Sequence, residues 1–113
     1  MTIINLTRNI VLSAQAELAD SFWTRMRGLL GREALPQGQA LVITRCNSIH
    51  MFFMKFPIDA AFLDASGRVV GDVRNIRPFQ LSPVFWGAER VIELPAGTLD
   101  RTATSRGDII EIK

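Results

Sequence analysis

The stretch from Cys46 to Asp64, CNSIHMFFMKFPIDAAFLD, constrains the fold of this chain more than any other part of the sequence. It is the longest apolar passage, and it contains the only histidine, the only cysteine and one of the two lysines. If it is extended, large hydrophobic residues occupy both faces, because alternate side chains of a strand point in opposite directions. Such a strand is typical of the centre of a sheet that is covered on both sides. We therefore expect this stretch to form the middle of the core.

Pro57 divides the central stretch into two parts. A proline cannot donate a hydrogen bond to a strand ladder, so the strand must bend or lie at a sheet edge there. The sequence therefore predicts two strands, or one kinked strand, over about residues 50–55 and 58–63.

Lys55 and Asp59 are charged residues among large hydrophobes. In a straight strand they would be roughly 13 Å apart, whereas a bend at Pro57 could bring them together. An unpaired buried charge is costly, so each should have a partner or reach water. The structural interpretation is a Lys–Asp pair, or an Asp59 carboxylate that accepts hydrogen bonds from turn amides. The functional interpretation is a polar site on an apolar wall.

Three motifs in the second half of the chain resemble a known family. They are F-M-x-F-P-I-D within SIHMFFMKFPIDAAFLDASGRVV, the hairpin D-x-x-G, and E-L-P-A-G, followed by RGD and an apolar tail. As a set they are similar to the family called domain of unknown function 192, and the resemblance extends from RMRGLLGR to the C-terminus. It implies a compact single domain of antiparallel strands with a small helix. It implies no activity and no catalytic residue.

The other secondary-structure elements follow from periodicity and turn signals. Residues 3–19 predict two short strands joined by a turn near Ser13–Gln15. Asp20 or Ser21 can cap an amphipathic helix over residues 21–31, with Gly31 at its C-terminal end. A hairpin is expected at 63–68 and a helical turn within 98–106, and further strands are expected at 40–44, 68–74, 89–94 and 109–112.

The segment from Asn75 to Ala88 contains Pro78 and Pro83 together with several large hydrophobes, including Phe79 and Trp86. The prolines exclude regular structure from its middle. Its aromatic residues should either pack under the loop or form a lid over the central stretch, and packing under the loop is the favoured interpretation.

These elements predict one domain over residues 1–113, of the α+β class. The expected architecture is a bent antiparallel β-sheet or small β-barrel with one short packed helix. The predicted core contains Phe22, Met26, Leu29, Val42, Phe52, Met54, Ile58, Phe62, Val69, Ile92, Leu94 and Ile110.

Composition excludes several classes of protein. A single cysteine permits no internal disulfide, which together with the lack of a signal-peptide pattern predicts a cytoplasmic protein. No apolar run reaches the roughly 18–20 residues of a membrane span. The net charge of +2 is a mild basic balance without a visible basic cluster, so it does not support nucleic-acid binding.

Cys46 and His50 are the candidate metal ligands, with Met51 and Met54 as soft donors nearby. A metal ion needs three or four ligands, and the chain contains no second histidine or cysteine. A Cys–His nucleophile pair would lack an oxyanion hole or a nucleophile elbow. We therefore predict no metal and no cofactor.

The leading functional hypothesis is a non-catalytic module that binds an unknown small molecule or protein, in a pocket at Lys55–Asp59 roofed by residues 78–86. Glu93 enters the site because it could meet Asp59 across strands. The predicted ligand-binding residues are His50, Lys55, Asp59, Glu93 and Trp86.

Two alternatives remain open. A small hydrolase-like or transferase-like enzyme would need His50, Lys55 and Asp59 within about 2.6–3.2 Å of one another. An RNA-binding β-barrel would need arginines on one strand face beside Phe79, Phe85 or Trp86.

Overall fold

A computed structural model of the chain describes residues 1–21, Thr24 and residues 27–113. The strands are β1 (Ile3–Asn5), β2 (Ile10–Ser13), β3 (Gln15–Ala19), β4 (Gln39–Thr44), β5 (Ile58–Leu63), β6 (Val69–Ile76), β7 (Arg90–Pro95) and β8 (Ile110–Ile112), and a one-turn helix, α1, spans Thr98–Arg101.

The strands form two sheets. The smaller has the order β2-β1-β8 and the larger the order β3-β4-β7-β5-β6. Five described pairings are antiparallel, and β3 pairs with β4 in parallel. The predicted α+β class with a bent sheet is confirmed, and over the described residues both sheets are open, so the barrel form is not adopted.

The chain passes from the smaller to the larger sheet at the corner between β2 and β3. There the Ser13 hydroxyl donates to the carbonyl of Gly38 at 2.7 Å and accepts from the amide of Gln15 at 3.2 Å. The turn predicted near Ser13–Gln15 is therefore confirmed as this corner. A second turn, over residues 6–9 between β1 and β2, was not predicted.

β5 is the central strand that the sequence predicted over residues 58–63. It lies between β6 and β7, and all six of its residues are buried. Its alternation defines two faces of the larger sheet. The face that we call the Asp59 face carries Asp59, Ala61 and Leu63 of β5, whose partners in β7 are Leu94, Ile92 and Arg90. The opposite face, which we call the Glu93 face, carries Ile58, Ala60 and Phe62, whose partners in β7 are Pro95, Glu93 and Val91.

Each face has its own apolar cluster. On the Asp59 face, Ile3, Leu12 and Ile110 of the smaller sheet pack against Leu63 and Ile92. On the Glu93 face the cover is mostly loop. The buried residues that these loops contribute include Leu29, Leu35, Ile49, Met51 and Met54. The described residues are therefore arranged sheet-on-sheet on one side and loop-on-sheet on the other.

The prediction of a strand over residues 50–55 is wrong. The backbone there makes an isolated bridge between His50 and Leu81, and Phe53 has a φ of 65°, outside the β region. The segment instead runs beside the proline-containing loop and shares single hydrogen bonds with it, such as Met51 N to the Gln80 carbonyl at 2.8 Å. Phe52, a predicted core residue, is 41% exposed as a result.

The predicted helix over residues 21–31 is only partly within the described residues. Ser21 Oγ accepts from Thr24 N at 3.2 Å, as expected of a helix cap, and Gly28 N donates to the Thr24 carbonyl at 2.9 Å. Helical geometry ends at Arg27 and not near Gly31, because Gly28 has a φ of 50°. The predicted core residues Phe22 and Met26 lie outside the described residues.

The rest of the predicted core is buried, namely Leu29, Val42, Met54, Ile58, Phe62, Val69, Ile92, Leu94 and Ile110. The hairpin at 63–68 is also confirmed. Asp64 Oδ1 accepts from the amides of Ser66 at 2.9 Å and Arg68 at 3.0 Å, and Gly67 takes the left-handed conformation with a φ of 90°. The helical turn predicted within 98–106 is α1.

The expectation that aromatic residues of the 75–88 segment pack inward is correct for Phe85 alone. Its ring lies 4.5 Å from the Phe62 ring and fills the space above Gly71, where a Cβ would come within 2.2 Å of it. Four other large hydrophobes of the loop are exposed, namely Phe79, Leu81, Val84 and Trp86.

Asp59 accepts three backbone hydrogen bonds in the interior, and its side chain joins β5 to two other parts of the chain. Oδ1 accepts from Asn75 N at 2.8 Å, near the end of β6. Oδ2 accepts from Gly97 N at 3.1 Å and from Leu99 N at 2.9 Å, at the start of α1. Gly97 has no side chain with which to cap α1, so Asp59 satisfies its first amides from a neighbouring strand.

We predict that Asp59→Ala lowers the free energy of unfolding by roughly 3 kcal/mol or more, because it leaves buried amides without acceptors. Asp59→Asn, which retains one acceptor oxygen, should lie between Asp59→Ala and wild type. Urea denaturation measures the three values. Asp100→Asn, at an exposed carboxylate of α1, is the control and should change stability by less than about 0.5 kcal/mol. A wild-type midpoint for Asp59→Ala would contradict the prediction.

Candidate functional site

A cavity of about 340 Å³ opens on the Glu93 face of the larger sheet. Its walls come from the segment after the partly described helix, from β4 and the loop that follows it, and from β7. The apolar part of the lining includes Leu29, Leu30, Ile43, Ile49 and Met54. The polar part consists of Arg27, Arg45, Cys46, Ser48, His50 and Glu93.

Glu93 is a carboxylate on an otherwise apolar sheet face. In the ladder it lies between Leu41 of β4 and Ala60 of β5. Its side chain is on the same face as Val91, whereas Ile92 and Leu94 point to the other cluster. Strand alternation therefore places the carboxyl in the core layer that borders the cavity.

Glu93 is only 6% exposed. Within the described part of the chain no side chain or amide donates a hydrogen bond to it, in contrast to Asp59, which accepts three. Burial raises the pKa of Glu93 to about 7, and the positive charge of Arg32 opposes that rise. The carboxyl therefore exchanges its proton near neutral pH, at the wall of a cavity large enough for a small molecule.

Gly28 brings the backbone close to this carboxyl. A Cβ at Gly28 would lie 4.0 Å from Glu93 Oε1, and the φ of 50° disfavours any residue with a side chain. The turn at Gly28 thus forms one wall of the cavity beside the acid. Arg27 and Arg45, which are more exposed than Glu93, lie around its outer part.

His50 is the other predicted site residue that lines this cavity. Its ring lies 5.3 Å from the Phe52 ring, and its Nδ1 accepts from Phe52 N at 3.3 Å. Cys46 lies on the same wall, and its thiol donates to the Ser48 carbonyl at 3.1 Å. The cavity thus gathers a histidine, a thiol and a carboxyl.

The structure places Lys55, Asp59 and Trp86 elsewhere. Lys55 Nζ pairs with Glu33 Oε1 at 2.7 Å on the surface, and the Asp59 carboxylate is occupied by amides. Trp86 is 86% exposed. None of the three lines the cavity. Asp59 and Glu93 are on opposite faces of neighbouring strands, so they do not form a carboxylate pair.

Among the described residues no three His, Cys, Asp or Glu side chains are grouped as a metal site would require. No helix of the described part has the length and apolar character to cross a membrane.

Sequence reasoning did not identify Arg27 and Arg45 as site residues. Arg27 directly precedes the glycine that turns the chain next to Glu93, and Arg45 has a φ of 53° at the end of β4. The available signal was the Arg-Gly dipeptide ahead of two leucines, which is typical of a turn. It does not indicate that this turn lies beside Glu93.

The fold and the cavity together define a small α+β domain in which a buried carboxyl, Glu93, lines a cavity. Comparison with known proteins then identifies the family: the model of DUF192, domain of unknown function 192, described as "Uncharacterized ACR", matches residues 3–112, and the chain belongs to this family.

Similar proteins cover nearly the whole chain. A UPF0127 protein of Thermococcus sibiricus is 37% identical over 96% of this chain and 73% of its own length. A UPF0127 protein of Pyrococcus horikoshii is 35% identical over 96% of both chains. The crystal structure of a protein of unknown function from Novosphingobium aromaticivorans has the same fold, with a TM-score of 0.85 and 22% identity over 98% of this chain and 82% of its own.

Segments that carry the family resemblance meet at the cavity. Arg27 and Gly28 belong to RMRGLLGR, Met54 to the F-M-x-F-P-I-D motif, and Glu93 begins E-L-P-A-G. These segments are distant in sequence and meet where the turn at Gly28 and the loop at Met54 cover the Glu93 face of the larger sheet.

Ionisation of Glu93 should make stability depend on pH. The unfolded chain releases this proton near pH 4.5 and the folded protein near pH 7, so the folded state holds the extra proton between these values. Stability should therefore fall as pH rises from about 4.5 to 7, by on the order of 3 kcal/mol from this group. Glu93→Gln should lack this decrease and be more stable than wild type at pH 8.

Urea denaturation of wild type and Glu93→Gln at a series of pH values measures the effect. The difference between the two proteins isolates Glu93 from other titrating groups, and Glu89→Gln, at an exposed carboxyl, is the control. Parallel stability curves for wild type and Glu93→Gln would show that the buried carboxyl does not change its protonation on folding.

Proposed function

We propose that this protein is a small-molecule-binding domain, and that Glu93 is the residue that anchors the ligand. The supporting observation is that this nearly buried carboxyl lines the cavity and accepts no hydrogen bond from the described residues, while its oxygens keep some accessible surface. Burial in an apolar wall disfavours the charged carboxylate, and groups whose pKa is perturbed in this way are concentrated at functional sites. Glu93 borders a cavity, so a ligand can supply the missing donor.

The proposed ligand has a cationic or hydrogen-bond-donating group, such as an amine or a guanidine, attached to an apolar body. The donating group would meet Glu93 at the inner end, and the body would contact Leu29, Ile43 and Ile49. A few polar anchors in an otherwise apolar wall are typical of small-molecule sites. This proposal keeps His50 and Glu93 of the five predicted ligand-binding residues and replaces Lys55, Asp59 and Trp86 with Arg27, Arg45 and the apolar wall.

We also propose that the protein functions in the cytoplasm. The support is chemical: the chain has one cysteine, which cannot form an internal disulfide, and its thiol lies at the cavity wall.

A thermal-shift screen of alkylamines, guanidines, sugars, nucleotides and carboxylic acids tests the binding function. A ligand at 100 times its Kd should stabilise wild type by about 2.7 kcal/mol. We expect amines or guanidines to stabilise wild type and Glu89→Gln but not Glu93→Gln. Their affinity should increase as pH rises through about 7, because a cation requires the ionised carboxylate.

Two results would contradict this proposal. One is stabilisation of Glu93→Gln by the same amines as wild type. The other is stabilisation by carboxylic acids alone, which would move the anchor to Arg27 or Arg45. Because Glu93→Gln is expected to be at least as stable as wild type at pH 8, loss of binding in it would not be a folding defect.

A second candidate function is acid–base catalysis at the same cavity. A carboxyl with a pKa of about 7 is suited to transfer protons at neutral pH, and His50 and Cys46 share its wall. This function would replace the enzyme hypothesis based on His50, Lys55 and Asp59, since those three side chains have separate surroundings. It requires that wild type chemically converts a bound ligand and that Glu93→Gln does not. A protein that only binds the ligand would leave it unchanged.

A further inference from the structure

Two neighbouring loops on the Glu93 side of the domain expose large apolar side chains. We define the apolar loop cluster as Phe52, Phe53, Phe79 and Leu81, which are 41%, 76%, 63% and 65% exposed. The ring of Phe79 lies 6.5 Å from that of Phe52 and 6.0 Å from that of Phe53, so the two loops form one patch. Contiguous exposed hydrophobic surface of this kind marks a binding surface more often than single exposed residues do.

The backbone holds these rings outward. Phe53 has a φ of 65° and Phe79 a φ of 67°, a region that bulky residues rarely occupy. Hydrogen bonds maintain the conformation, since Phe79 N donates to the Met51 carbonyl at 2.8 Å and Met54 N to the same carbonyl at 3.2 Å. Strained positions of this kind persist where the surrounding structure enforces them, and they cluster at functional sites.

The two chain segments that contain the loops carry charges of one sign. Residues 34–58 and 73–88, which contain both loops, include no aspartate and no glutamate, although the chain has 11. Their basic residues are Arg45, Lys55, Arg74 and Arg77, of which Lys55 and Arg77 are closest in sequence to the cluster and are exposed. Arg77 has no ion pair among the described residues, and the pair of Lys55 with Glu33 is exposed, so it can exchange for another anion at little cost.

We propose that the apolar loop cluster docks the protein on an anionic lipid surface. Protruding phenylalanine and leucine side chains can enter the interfacial layer of a bilayer, and basic residues beside them are attracted to anionic headgroups. Trp86, 86% exposed on the same loop, is of the residue type enriched at that interface. Attachment is peripheral and reversible, through loop tips.

The same features favour lipid over two other partners. Leu81 and Val84 are exposed aliphatic side chains that cannot stack on nucleobases. The basic residues next to the cluster in sequence are Lys55 and Arg77, and two cations are few for a polyanion. The side chains also project outward, which suits a deformable surface, and the loops lack the carboxylates that would pair with the basic groups of a second copy.

Co-sedimentation with vesicles tests the proposal on the full chain. Vesicles of phosphatidylcholine with phosphatidylserine should bind wild type, and high salt should weaken the binding. The double variant Phe53→Ser/Phe79→Ser should lower partitioning about tenfold or more, since each ring loses its burial in lipid. Lys55→Gln/Arg77→Gln should weaken binding to anionic vesicles and remove its salt dependence.

The matched control is Leu6→Ser/Leu18→Ser, which removes two large hydrophobes that are 50% and 45% exposed elsewhere on the surface. This variant should bind vesicles as wild type does. Circular dichroism and thermal melts establish that all variants are folded. The fluorescence of Trp86 should shift to shorter wavelength on binding, a change that Trp86→Phe removes.

Four results would overturn the proposal. The first is that wild type does not bind anionic vesicles, and the second is that it binds vesicles of phosphatidylcholine alone equally well. The third is that the control variant loses as much vesicle binding as the test variants. The fourth is that the cluster binds a partner of another class. The last would appear as a dimer in light scattering that dissociates in Phe53→Ser/Phe79→Ser, or as binding of a single-stranded RNA that the same variant loses, without vesicle binding.

Discussion

The fold depends on the three hydrogen bonds that the Asp59 carboxylate accepts from backbone amides. Asp59 lies on the central strand, and its acceptors are shared between the end of β6 and the start of α1. These bonds fix where the chain leaves the sheet after β6 and where it re-enters the core after β7. A carboxylate is suited to this role because its two oxygens accept several hydrogen bonds in fixed directions, whereas an apolar side chain would leave the amides unsatisfied.

The contrast between Asp59 and Glu93 explains why only one of them is a candidate site. They occupy opposite faces of adjacent strands, one residue apart in register. Asp59 faces the side covered by the smaller sheet, where backbone amides reach it. Glu93 faces the side covered by loops, where a cavity remains and no described group donates to it. The difference arises from what covers each face, since both residues are buried carboxylates in the same sheet.

The loop-covered side also carries the exposed aromatic residues. Loops bounded by Pro57, Pro78 and Pro83 cannot form a continuous ladder, so they are joined by separate backbone hydrogen bonds between segments distant in sequence. Such loops can hold Phe85 over Gly71 while Phe79 points outward. The same irregular cover therefore leaves both the cavity next to Glu93 and the apolar loop cluster, which would be harder to form under a second regular sheet.

The sequence by itself determined the secondary structure wherever the physical cause is local. The apolar run over residues 58–63, the turn residues Asp64 and Gly67, and the proline at 57 correctly predicted β5, its hairpin with β6 and the break before β5. For Asp59 it left open an ion pair with Lys55, the acceptance of hydrogen bonds from amides and a functional site, and the second is observed. Tertiary structure alone decided that residues 50–55 form a loop, because Phe53 takes a conformation that no local preference of phenylalanine favours. It also decided that Glu93, and not Lys55 or Asp59, borders the cavity, because the cover of each sheet face comes from segments distant in sequence.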